Sequence, residues 1–396
     1  MGVIKNKQLE LKSRRKNNPA NFSVLSSAAF ALTGLSTNVF SDVKGDFIFE
    51  LKSHQYSEEE RMDVDSSMFY IYAPLNDDIA IELTAFNEIL SGASAQYVTN
   101  DGTQNIQVLS TASIQEERDT ADLGIVYELG ETNFSAIVGG GFSKEDDYRS
   151  KSHKVGIEFL SENKNSAYTL VSSQSDDEIS IDDGETFSRE RKTQSWLIGS
   201  TQILNQTMIW QSNISYSKGD GYFNDPYKYT SLIVGENEIR NYDVRPDSRQ
   251  SYSWLNRIKI HHPDLNLTSS LDYRYYNDDW GINAHTFKAG LHYRFNDNWS
   301  VETSMRYYSQ NAVDFYFYIV PNQIVIGNIS TDHRLGAYGS ITPTVKILYR
   351  RVDFIDISLS LQKYKQRDSF FLGDGDGNSL NRLDANIFSL DLKFVF

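Results

Sequence analysis

The stretch from Asn386 to Phe396 (NIFSLDLKFVF) constrains the fold of this chain more than any other. Phe388, Leu390, Leu392, Phe394 and Phe396 fall on one face of an extended strand, with Ser389, Asp391, Lys393 and Val395 on the other. Successive side chains of a strand point to opposite faces, so the pattern divides an apolar face from a mostly polar one. A barrel wall between lipid and a polar interior needs that division, and a terminal aromatic suits the strand that closes the barrel.

Composition supports the same reading. Among 396 residues there is no cysteine, so no disulfide can hold the chain, whereas a closed sheet pairs its own backbone. Aromatics reach 13%, with 24 Tyr and 22 Phe, which suits lipid-facing strands with interfacial girdles. No apolar run approaches the roughly 18 residues of a helical span. Residues 1–41 read as a secretory leader: a basic region (Lys12, Arg14, Arg15, Lys16), a mildly apolar segment from Phe22 to Leu35, and Val39-Phe40-Ser41 before Asp42. A Sec-type leader is expected rather than a twin-arginine one, because a barrel crosses the inner membrane unfolded. With that basic leader set apart, residues 42–396 are more acidic than the whole-chain net charge of -15. Such a chain is not expected to bind nucleic acid, and it is compatible with divalent cations bridging to lipopolysaccharide.

Short polar turns punctuate the chain at Leu75–Asp78, Gly130–Thr132, Glu162–Asn165, Leu204–Gln206, His262–Asp264 and Asn296–Asn298. Longer polar stretches at 92–110, 176–186, 219–248, 311–330 and 367–384 lie between them. The expected strands are 45–57, 63–73, 78–91, 111–129, 132–144, 148–161, 166–175, 187–203, 206–218, 249–262, 265–277, 281–295, 298–310, 331–341, 354–366 and 385–396. The fold class is therefore all-β: one transmembrane antiparallel up-and-down barrel of about 16 strands (14–18) spanning 42–396, with short periplasmic turns and long extracellular loops.

Alternation also assigns facing. Leu265, Leu267, Leu271, Tyr273 and Tyr275 point to lipid, and so do Phe287, Ala289, Leu291, Tyr293, Phe295, Trp299, Val301, Met305 and Tyr307. The opposite parity lines the lumen with Arg257, Lys259, Asp272, Arg274, Lys288, His292, Arg294, Glu302 and Arg306, and the strand from 331 adds Arg334. This base-rich wall is either a selectivity surface for anions and polar solutes or a ladder of ion pairs bracing a plugged barrel.

Several unusual words cluster in the second half: Gly221-Tyr-Phe-Asn-Asp-Pro-Tyr-Lys228, Arg245-Pro-Asp-Ser-Arg249, Tyr273-Arg-Tyr-Tyr-Asn-Asp-Asp-Trp-Gly-Ile282, His285-Thr286, Arg306-Tyr-Tyr-Ser-Gln310 and Asp314-Phe-Tyr316. Taken together they resemble a bacterial family catalogued as domain of unknown function 3570, over essentially all of the chain after the leader. The resemblance implies an outer-membrane barrel and leaves its chemistry open. The terminal Phe388, Leu390, Leu392, Phe394 and Phe396 likewise resemble the signal by which bacterial outer-membrane proteins engage their assembly machinery.

Adjacent long loops should gather Asp225, Lys228, Arg245, Arg249, Asp278, Asp279, His285 and Asp314 at one mouth of the barrel. They would form either a ligand or metal site or tight loop packing. Asp374, Asp376 and Asn378 resemble the opening of a calcium loop, but Ser379 replaces its glycine and Ala385 its bidentate glutamate, which favours a solvated acidic tip. Asp278, Asp279 and His285 could in principle activate a water for hydrolysis, yet no nucleophilic serine is marked. Phosphate-cradling loops, zinc spacings and haem-attachment motifs are absent from the sequence, so no cofactor and no enzymatic activity are expected. Passage or binding of a small solute or ion is the leading expectation. The alternative is a non-conducting scaffold for an envelope protein, and a rim-site hydrolase is third.

Overall fold

A computed structural model describes residues 45–396 except 60, 94, 101–104, 110–113, 131, 183–185, 235–236, 318–326, 352–353 and 374–381. The leader at 1–41 and the calcium-like Asp374, Asp376 and Asn378 lie outside the described residues. In chain order the strands are β1 (Ile48–Glu58), β2 (Met62–Pro74), β3 (Ile79–Gly92), β4 (Ala95–Asn100), β5 (Asn105–Leu109), β6 (Ile114–Glu128), β7 (Phe134–Lys144), β8 (Tyr148–Leu160), β9 (Ser166–Asp182), β10 (Thr186–Asn205), β11 (Met208–Gly221), β12 (Tyr229–Val234), β13 (Asn237–Tyr242), β14 (Ser248–His262), β15 (Leu267–Asp278), β16 (Asn283–Arg294), β17 (Trp299–Gln310), β18 (Tyr338–Arg351), β19 (Ile355–Arg367) and β20 (Leu383–Val395).

Sixteen of these close into one antiparallel barrel, and β4–β5 and β12–β13 form separate two-stranded hairpins inside long loops. Closure joins β1 to β20, from Ile48↔Val395 to Glu58↔Ala385, so every barrel strand has two neighbours and no edge is left unpaired. Apolar side chains face outward, among them Leu123, Val155, Ile198, Leu271, Leu291, Met305 and Leu361, each at least 48% exposed. In water such a surface would aggregate, and in a bilayer it is the lipid-facing band.

Four of the six short turns are made by asparagine. Asn76, Asn163, Asn205 and Asn296 each accept a backbone N–H two residues ahead, at 2.9–3.0 Å. That local bond reverses the chain without help from elsewhere, which is why these turns are readable from sequence. Gly139 and Gly141 sit on the inward face of β7, where a Cβ would meet Lys154 and Leu123 at 2.7 and 2.8 Å and Asp122 Oδ1 at 2.0 Å. The glycines leave room for charged side chains from neighbouring strands to lie across the inner wall.

Each expected strand overlaps an observed one, with three departures. The segment 331–341 is strand only from Tyr338, and β18 then continues to Arg351 through a region read as loop. Pro343 disguises it: a proline cannot donate to a ladder, and the pairing with β19 skips Thr342 and Pro343 while keeping register on both sides. In the polar stretch 176–186, residues 176–182 continue β9 and residue 186 begins β10, whose 17 and 20 residues exceed the roughly 9–11 needed to cross a bilayer. There charges match across the ladder, Arg191 opposite Asp177 and Lys192 opposite Asp176. The stretches 92–110 and 219–248 contain the hairpins β4–β5 and β12–β13.

Candidate functional site

The long loops all leave the same end of the barrel, and three of them meet over its mouth. They start far apart around the wall: between β3 and β6, between β11 and β14, and between β17 and β18. Lys228 Nζ, on the β11–β14 loop, donates to the carbonyl of Ala95 on the β3–β6 loop. Arg240 lies 4.7 Å from the Tyr97 ring centre. Val244 and Ile329 exchange backbone hydrogen bonds of 2.8 Å, and Thr331 donates to the Tyr229 carbonyl at 3.1 Å, which ties in the β17–β18 loop. Tyr227 donates to Asp147, beside the β7–β8 loop, at 2.5 Å. Loops rooted on different sides can share buried contacts only by crossing the opening, so they form a lid.

The heart of the lid is a set of buried ions. Arg245 Nη2 bonds Asp243 at 2.7 Å and Asp332 at 3.0 Å. Arg334 Nη2 bonds Asp332 at 2.5 Å and Asp225 at 2.6 Å. Ser330 Oγ donates to Asp243 at 2.9 Å. With Lys228, three cations face three carboxylates, and all but Arg334 are below 9% exposed. Burial pushes the Asp332 carboxyl up, but Arg334 and then Lys228 hold it well below the usual range. His333 lies in the same pocket, where burial lowers it to about 3 despite the pull of Asp332, so it is neutral at pH 7. Burial likewise lowers the Lys228 ammonium, aided by Arg334. Beside the ions, Trp280, Ile282, Ala284, Val313, Phe315 and Leu335 form an apolar cluster. Phe223 and Phe315 meet Trp280 edge-on at 5.5 and 5.3 Å. Phe223 and buried Tyr227, both from the β11–β14 loop, are therefore folded inward.

The eight residues expected at the mouth divide. Asp225, Lys228 and Arg245 enter the lid's ionic core. Arg249 and Asp278 pair at the rim at 2.5 Å, with the guanidinium 4.4 Å from the Trp280 ring centre. Asp279 accepts from the Gln250 backbone at 2.9 Å, and exposed Asp314 donates its N–H to the Trp280 carbonyl at 2.8 Å. His285 does not join them. Its parity matches outward-facing Phe287, and its Nδ1 lies 3.0 Å from the Tyr273 hydroxyl, with Tyr275 also beside it. The expectation overlooked that odd positions of β16 face away from the lumen, so the His285 imidazole does not stand beside Asp278 or Asp279.

Arg334 is the second correction. It belongs to a short 3-10 turn, His333–Leu335, in the lid and not to a wall strand. The other lumen candidates occupy inward positions. Arg257, Asp272, Lys288 and Arg306 lie in one row across β14–β17, with Arg257 and Asp272 joined by bonds of 3.0 and 2.8 Å. His292 is opposite Glu302, and Lys259, Arg274 and Arg294 share the inward parity. The facing wall was not singled out from sequence. There Glu82, Glu88, Asp122 and Glu158 point inward from β3, β6 and β8, with Arg118 and Lys154 as counter-charges. The lumen thus has a base-rich side and an acid-rich side.

The fold and its lipid-facing band define an integral β-barrel of the bacterial outer membrane. Within that class, the family described as "Protein of unknown function (DUF3570)" matches residues 22–194 and 182–381, and the chain belongs to it. No curated protein matches the chain. Among solved structures, CdiB from Acinetobacter baumannii is similar at 8% identity with a TM-score of 0.51, covering 88% of this chain and 60% of that one. The ferric enterobactin receptor PfeA from Pseudomonas aeruginosa gives 11% identity and a TM-score of 0.44, covering 82% of this chain and 54% of that one. The CymD monoaromatic hydrocarbon channel gives 8% and 0.44, covering 90% and 91%. The chain therefore spans about half the length of the siderophore receptor it resembles.

Proposed function

We propose that the protein is a gated barrel that passes or binds a small polar solute carrying an anionic group, with the three-loop lid as its gate. The observation that carries this reading is a lid held by ion pairs above a lumen whose walls carry opposite charge. A field across the lumen would orient a polar solute between Arg257, Lys288 and Arg306 on one side and Glu82, Asp122 and Glu158 on the other. An ionic lid also opens more readily than an apolar plug, because freed charges regain water. The reading assigns no hydrolytic role to Asp278, Asp279 or His285.

Single-channel recording of the refolded protein in planar bilayers tests it, with heat-modifiable gel mobility reporting folding. Rare openings in the native protein, and far more frequent anion-preferring openings in Asp332→Ala, are expected. Folded protein that stays silent in both forms would replace the gate by the second reading. That reading is a scaffold whose lid offers an envelope partner the exposed side chains of Tyr242 and Val244, 61% and 41% accessible.

A further inference from the structure

A second buried charge cluster lies below the lid's edge, outside the lid's own ion pairs. Glu116 is the third residue of β6, on its inward face, and Glu145 and Asp147 flank the turn between β7 and β8. Pairing of β6 with β7 begins at Asp119↔Lys144, which sets that turn directly above Glu116. The turn is fixed by its own backbone: Glu145 N donates to the Tyr148 carbonyl, and Ser180 N donates to the Asp147 carbonyl, both at 2.7 Å. One carboxylate oxygen from each of the three side chains lies within 4.8 Å of the others. All three residues are buried, at 3%, 3% and 5% exposure.

The neighbours answer only part of this charge. Arg118 Nε donates to Glu145 Oε1, and Arg118 Nη1 lies 3.6 Å from Glu88. Tyr227, from the lid, donates to Asp147 Oδ2. Among the described residues nothing donates to either oxygen of Glu116 or to Oε2 of Glu145, although these atoms are buried. Four carboxylates, counting Glu88, therefore surround one guanidinium. Buried carboxylates are normally paired, bonded or bound to metal, and among the described residues Glu116 has no ion-pair partner, only the neighbouring Glu145 carboxyl as partner for a shared proton. All the donors are oxygens, which selects a hard cation over zinc or copper. Calcium–oxygen bonds of about 2.3–2.6 Å let ligands on opposite sides of one ion stand nearly 5 Å apart, whereas magnesium at about 2.1 Å demands a tighter set.

We propose that Glu116, Glu145 and Asp147 form a binding site for one divalent cation of the calcium class at the barrel rim beneath the lid. Asp147 would bind the ion through one oxygen and hold Tyr227 through the other, so occupancy would steady the lid's attachment to the wall. The proposal does not rest on solute passage.

The test is calorimetric titration of calcium chloride, then magnesium chloride, into the chelator-treated full-length protein refolded in lipopolysaccharide-free detergent. About one saturable calcium site is expected, weaker for magnesium, and weakened at least tenfold by Glu116→Gln. Asp176→Asn, on the outer wall, should bind as the native protein does. Thermal unfolding gives an independent readout: calcium should raise the midpoint of the native protein and leave that of Glu116→Gln unmoved. Glu145→Gln serves if Glu116→Gln fails to fold. Absence of saturable binding, or an equal calcium response in native and variant proteins, would overturn the proposal and leave carboxyls that share protons.

Discussion

Two sets of buried charge stand at the same end of this barrel and differ in how they are balanced. In the lid, Asp225, Asp243 and Asp332 meet Lys228, Arg245 and Arg334 in equal number, and shared oxygens link the two arginines. At the rim, Glu88, Glu116, Glu145 and Asp147 gather around a single cation among the described residues, Arg118, which pairs with Glu88 and Glu145. The first set is balanced in charge within the chain: both arginines have carboxylate partners, and the Lys228 ammonium donates to the Ala95 carbonyl. The second is complete only with something added. The contrast separates a structural network from a binding site by its leftover charge, and acidity alone would not.

The largest expected effect comes from breaking the balanced set. Asp332→Ala strips Arg245 and Arg334 of their common acceptor, and removing one partner of a buried pair costs about 3–5 kcal/mol. Hydrogen exchange at the Val244 and Ile329 amides should accelerate accordingly, while the barrel strands keep their protection. Slow exchange in the variant would mean that the apolar cluster around Trp280 holds the lid instead.

Acid should act next. His333 is held neutral in the closed lid with its pKa lowered to about 3, and in an open lid it would return toward its ordinary value near 6.5. The open form then binds more protons, so the closed lid is fully stable above about 6.5 and loses stability as pH falls toward 3, by up to a few kcal/mol. Protease sensitivity of the lid from pH 7.5 to 4 should rise along that interval, and His333→Gln should flatten the curve.

The unbalanced set should respond less. In chelator, a buried carboxyl crowded by other carboxyls takes up a proton rather than stay charged, so Glu116→Gln should change the stability of the rim by no more than about 1 kcal/mol, read from urea midpoints. Smallest of all is the exposed pair Lys192–Asp176 on the outer face, 3.7 Å apart, where Lys192→Ala should change stability by less than about 0.5 kcal/mol.

The legibility of these features in sequence followed their range. Barrel strands were readable because alternation is local, and four of the six short turns because one asparagine closes each of them. Strand β18 was misplaced by one proline, and His285 by parity across a tight turn. The lid was half visible. Asp225, Lys228 and Arg245 stood out in unusual words, but Asp243 and Asp332 did not, and Asp332 reaches Arg245 across 87 positions. Nothing near Asp332 in sequence announces that contact. The carboxylate cluster was hidden for the same reason, since Glu116 meets Glu145 and Asp147 only through the register of β6 on β7.

The seam between β1 and β20 has a consequence for how the molecule comes into being. His54 and Ser389 touch at 2.8 Å although 335 residues separate them. A contact so distant along the chain is among the slowest to form, since the entropy of a very long loop is lost before the contact gives anything back. Until then β1 is an open template on which any stray strand could grow. Folding without a catalyst should therefore be slow and concentration-sensitive. The price of closing the barrel last is thus a first strand that must stay unclaimed until its partner arrives.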